Sequence, residues 1–77
     1  MTKKEYFMNN VPVGALNISA FAAYVLYGVE NDYAYIAYVV DNKIQSYHKL
    51  MIHYTAGGKA YINMHGSRLH ISEFCRL

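Results

Sequence analysis

Between Glu5 and Glu30 no side chain carries a charge. A strand with one wet face alternates apolar and polar residues, so a stretch like this must be covered on both sides. In 77 residues there is room for one domain, 1–77, with a marginal core. Hydrophobic residues make up 55% of the chain, more than so small a domain hides alone. Two surfaces qualify as the second cover: the N-terminal segment folded back, or another copy of the chain. The composition favours the copy, and a homodimer is expected.

The same stretch imitates a leader, with Lys3 and Lys4 ahead of it and Ser19-Ala20-Phe21-Ala22 resembling a cleavage site. Asn9, Asn10, Pro12, Gly14, Asn17 and Ser19 interrupt it well short of the roughly 20 apolar residues of a spanning helix. It therefore reads as part of a soluble fold, with no membrane partner. Cys75 is the sole cysteine. With no internal disulfide available, packing alone must hold the chain, which suits a reducing, cytoplasmic setting. No His lies near Cys75 in sequence, so it reads as a small apolar residue closing the core rather than a nucleophile.

Along the chain, residues 1–10 look like a loose polar start, and 1–19 as a whole like an irregular arm. Ala20 to Val29 admits a short helix between Ser19 and Gly28. The run Tyr24-Val25-Leu26-Tyr27, the turn dipeptide Asn31-Asp32 and the aromatic, β-branched Tyr33 to Val40 argue instead for a hairpin. Its expected partners are Val29 with Ala34, Tyr27 with Ile36 and Val25 with Tyr38. Asp41-Asn42-Lys43 turns into Ile44 to Tyr54, where Ile44, Leu50, Ile52 and Tyr54 share a face opposite to Lys43, Gln45, Tyr47, Lys49, Met51 and His53. A three-residue loop Gly57-Gly58-Lys59 pairs Ile52 with Met64 and Tyr54 with Ile62. A two-residue turn Gly66-Ser67 pairs Met64 with Leu69 and Ile62 with Ile71. Residues 44–72 are thus expected as a three-stranded meander.

The end of the chain reads as a strand, one helical turn at Ser72-Glu73-Phe74, and a short final strand. The run Gly66-Ser67-Arg68-Leu69-His70-Ile71-Ser72-Glu73-Phe74-Cys75-Arg76-Leu77 resembles the closing segment of small SH3-type barrels. The tryptophan and proline of the peptide groove in SH3 domains are missing, so the resemblance implies architecture alone. The fold class expected is mainly β: a small antiparallel meander or SH3-like barrel of about five strands. A one-turn helix lies near the C-terminus, with room for a short helix near the N-terminus.

Charge is uneven. Residues 1–42 set Lys3 and Lys4 against Glu5, Glu30, Asp32 and Asp41, a sum of −2; residues 43–77 set Lys43, Lys49, Lys59, Arg68 and Arg76 against Glu73, a sum of +4. All four histidines lie in the second half. The expected registers put His53, Asn63 and His70 on one rung of a wet sheet face. Met51, His65 and Arg68 fall on the next, and Thr55, Tyr61 and Ser72 on the far side. With Lys49, the candidate binding residues are Lys49, Met51, His53, Tyr61, Asn63, His65, Arg68 and His70.

An antiparallel sheet needs a polar wet face in any case, and that reading has the first claim. Beyond it, Tyr, His and Arg supply contact area with hydrogen bonds at protein interfaces. Aromatic and Arg side chains also stack bases, with Lys49, Lys59 and Arg76 for phosphates, but a net charge of +2 is small for that use. Three histidines spread over a flat sheet make a poor zinc site, and no cofactor is expected. His65 and His70 with Arg68 and Tyr61 form a minimal kit for metal-independent RNA cleavage. His48, beside Leu50 and Ile52, reads as a core or edge histidine. The expected function is a non-enzymatic interaction protein that binds and modulates a macromolecular partner, a protein first. Phage and mobile-element inhibitors of host factors, anti-CRISPR proteins among them, have this character. The alternative is a nucleic-acid-binding module, with or without ribonuclease activity.

Overall fold

Thr2 opens the first helix as its cap, its Oγ1 accepting from the Glu5 N–H at 3.2 Å. A computed structural model describes residues 2–77. The loose start expected of residues 1–10 is instead helix α1, Lys3–Asn9, the short N-terminal helix for which the expected fold class left room, and the expected irregular arm also holds strand β1, Gly14–Asn17. What tertiary contact adds is the reason. Tyr6 stacks on Tyr35 with ring centroids 3.7 Å apart, and Phe7 meets Tyr27 edgewise at 4.9 Å and Tyr47 at a tilt at 4.5 Å. A polar-looking segment is thereby held by two aromatic anchors.

The rest is strand, as expected: β2 Ala22–Glu30, β3 Tyr33–Val40, β4 Lys43–Met51, β5 His53–Tyr54, β6 Ala60–Met64, β7 Ser67–His70 and β8 Cys75–Arg76. A 3₁₀ turn, Ile71–Glu73, precedes β8. All pairings are antiparallel, in a five-stranded sheet ordered β4-β3-β2-β1-β8 and a three-stranded sheet ordered β5-β6-β7. The architecture is mainly β and consistent with a meander. Residues 44–72 contain no α-helix, yet they do not form one meander: residues 43–51 belong to the large sheet, and the small sheet starts at His53.

Two-residue turns set the hairpins. Asn31-Asp32, Asp41-Asn42 and His65-Gly66 all have positive φ at both positions, the conformation that matches strand twist. Val29 faces Ala34 as expected. Beyond it a bulge between Leu26 and Gly28 moves the register, so Leu26 faces Ile36 and Tyr24 faces Tyr38, replacing the expected Tyr27–Ile36 and Val25–Tyr38 pairs. Gly28 makes the bulge: its φ is +145°, and a Cβ there would collide with the Tyr6 hydroxyl.

The other two expected registers shift by a residue at the turn. The loop after β5 is Ala56-Gly57-Gly58, closed by Thr55 N–H to Lys59 O at 3.0 Å and Lys59 N–H to Thr55 Oγ1 at 3.1 Å, and Tyr54 faces Ala60. The next turn is His65-Gly66, so Met64 faces Ser67 and Ile62 faces Leu69, instead of Leu69 and Ile71. Each shift exchanges residues of equal parity, which leaves inward and outward faces unchanged. Ile52, Ile62 and Met64 remain buried, packed with Tyr24, Leu26, Ala34 and Ile36 between the sheets. Ile44 leaves its expected face because a bulge at Gln45 sets it opposite Val39.

The core thus lies between the small sheet and one face of the large one. The other face meets α1 at Tyr35, Tyr27 and Tyr33. Of the two covers weighed for the uncharged stretch, the N-terminal segment supplies one: Tyr6 and Phe7 are themselves part of it. No helix among the described residues is long and apolar enough to cross a membrane.

Candidate functional site

The outer face of the small sheet carries a short row of rings. Register places His53, Tyr61 and His70 on one rung, with Asn63 opposite Arg68 on the next. Tyr61 is the hub. The His53 ring lies stacked beside it, centroids 5.5 Å apart, and the His70 ring is tilted against it at 5.9 Å. The Arg68 guanidinium sits over the Tyr61 ring at 4.1 Å, a cation–π contact that holds both side chains in place. Glu73, from the 3₁₀ turn, accepts from the His70 N–H at 3.0 Å. Its carboxylate thereby fixes the end of β7. Within His70, Nδ1 is sealed from solvent without a hydrogen-bond partner among the described residues.

Five of the eight sequence-predicted residues therefore share this face: His53, Tyr61, Asn63, Arg68 and His70. Tyr61 takes the central rung position that the sequence reading gave to Asn63. Three do not join it. Lys49 belongs to β4, its ammonium 4.6 Å from the Tyr33 ring and 5.9 Å from that of Tyr35, on the face that α1 covers. Met51, opposite Tyr33 in the same large sheet, goes with Lys49. His65 is drawn off by its turn. With φ at +50° its ring meets the Tyr24 hydroxyl, Nδ1 to Oη 2.9 Å.

His65 completes a second cluster that the sequence did not reveal. Its ring is 5.2 Å from that of Tyr38 and 5.9 Å from that of His48, both edge-on. His48 Nε2 and Ser46 Oγ are 2.7 Å apart. Burial, then the neighbouring His65, then Lys3 push the His48 imidazole below its ordinary value of 6.5. Burial, then Tyr38, raise the Tyr24 phenol above 10.0. The alternation of β4 does place Ser46 and His48 beside Leu50, so half of the cluster was readable. The other half needs the bulged register that sets Tyr24 opposite Tyr38.

The two clusters separate His65 from His70. Of the acid–base pair considered for RNA cleavage, His65 contacts Tyr24 and His70 contacts Tyr61. Among the described residues no three His, Cys, Asp or Glu side chains converge to hold a metal ion. Cys75 is exposed on the short edge strand β8, not closing the core as expected, because β8 pairs with β1 at the rim of the sheet. No protein-family model matches this chain, and no curated protein or solved structure matches it.

Proposed function

We propose that the protein is a non-enzymatic binding module whose small-sheet face engages a protein partner and alters its activity. One observation carries the reading: Tyr61 holds Arg68 over its ring and lies between two imidazoles, giving a fixed group of amphipathic side chains. Such a group offers contact area and hydrogen bonds with little left to order on binding. The same packing disfavours base stacking, because the guanidinium already occupies a face of the ring that a base would need. The test is capture from an extract of the source organism with wild-type protein and with Tyr61→Ala, nuclease-treated and untreated, read by mass spectrometry. A protein held through nuclease treatment and lost by Tyr61→Ala, at unchanged melting temperature, is the expected result. Capture that nuclease abolishes would replace this reading with the nucleic-acid alternative.

Self-association is a second part of the proposal. Helix α1 leaves part of the large sheet's outer face open, where register aligns Ala15 with Val25 and Ala23 with Val39, all uncharged and half-buried. Phe21, Met8 and Val11 are more than two-thirds exposed. Light scattering across a concentration series is expected to show a dimer; a monomer throughout would remove this part alone.

A further inference from the structure

Two strand edges stand open on either side of one groove. β7 ends the small sheet, with β6 on one side and no strand on the other among the described residues. β8 flanks β1 at Gly14 and Ala15 only, so Asn17 lies beyond its reach. The groove between them measures about 340 Å³. Leu16, Tyr24 and Leu69, all packed on the core, make its floor, and Asn17, Ile18, Arg68 and Glu73 its sides.

The backbone on both sides points the right way. In a hairpin with a two-residue turn the flanking residues, here Met64 and Ser67, exchange both hydrogen bonds. Arg68 and His70 then turn their N–H and C=O outward. His70 agrees, since its N–H reaches Glu73 instead of β6. Across the groove the Ile18 N–H bonds to Ala22 O at 2.9 Å, so alternation aims the Asn17 peptide groups away from β2. Arg68 is the one cation on the groove, and the facing carboxylate, Glu73, is engaged with His70.

We propose that this groove takes an extended segment of the partner protein as an added strand on β7, with an acidic side chain of that segment meeting Arg68. The proposal rests on the protein-binding reading above and deepens it. Main-chain bonds to Arg68 and Asn17 would supply affinity, and alternate apolar side chains would settle on Leu16 and Leu69. Arg68 belongs to both the groove and the ring face, so one partner reaches both.

The probe is a capped hexapeptide alternating valine and glutamate, titrated to millimolar concentration while backbone amide shifts are followed by NMR. Controls are its backbone N-methylated twin, a lysine-for-glutamate version, and a single-stranded RNA hexamer. Shifts concentrated at Asn17, Ile18, Arg68 and Leu69 are expected with the glutamate peptide and absent with the N-methylated twin. Arg68→Glu is expected to weaken the glutamate peptide at least about tenfold and to favour the lysine version. No shifts at these amides, equal shifts with the N-methylated twin, or stronger shifts with RNA would each overturn the groove. Loss of the groove with capture still dependent on Tyr61 would leave the ring-face reading standing, which separates the two failures.

Discussion

Gly28 concentrates several demands at one position. Its φ of +145° is hostile to any Cβ, and the Tyr6 hydroxyl occupies the space a methyl group would need. Gly28→Ala should therefore strain the β2 bulge and displace Tyr6 from Tyr35, costing about 1–3 kcal/mol in denaturant unfolding. A loss near zero would mean the bulge relaxes freely. His48 makes a different prediction. Its folded-state affinity for a proton is lowered, chiefly by burial, so the unfolded chain takes up the proton more readily. Stability should then fall as pH drops below about 6.5, the ordinary imidazole value. His48→Gln should flatten the melting-temperature profile between pH 7 and 5; an unchanged slope would remove His48 as its source. The place of His48 among core residues was legible in the alternation of β4, whereas the role of Gly28 was not. In the sequence Gly28 served only to end the alternative helix, and the approach of α1 through Tyr6 explains why a glycine stands there.

Helix α1 and the hairpin turns show where local pattern stops being informative. Strands alternate, and alternation survived translation: Ile52, Ile62 and Met64 are buried as their parity requires. Turn position did not survive, because Gly57-Gly58 and Gly66-Ser67 each allow neighbouring registers of the same parity. The choice fell to Thr55, which closes the loop onto Lys59, and to His65, which accepts a left-handed backbone while bonding Tyr24. Hence most of the ring face was legible, whereas the place of Tyr61 at its centre was not. For α1 the capping threonine and two aromatics were visible, but nothing local says that they meet Tyr35. Thr2→Ala should cost about 1 kcal/mol through the lost cap. Phe7→Ala, at a buried site against Tyr27 and Tyr47, should cost about 3 kcal/mol. If both variants melted like the wild type, α1 would be an ornament on a sheet stable without it.

The protein as a body has two apolar layers with one sheet between them, and tyrosines populate both. Tyr6, Tyr24 and Tyr27 each have phenols raised above 10.0, burial being the first cause in every case. A folded state that resists phenol ionisation binds more protons than the unfolded chain near that pH, so stability should decline as pH rises through about 10. In an alkaline titration the last part of the phenolate absorbance, that of Tyr6, Tyr24 and Tyr27, should rise together with unfolding; full phenolate absorbance reached before unfolding would contradict it. The pairing of β1 with β8 has a kinetic side. Gly14 and Arg76 lie near opposite ends of the chain, so bringing them together costs loop entropy before any bond rewards it. The β2–β3–β4 hairpins are local and should assemble before the β1–β8 rim. Folding should accordingly end with the rim, and the groove beside it should be the last part of the surface to acquire its shape.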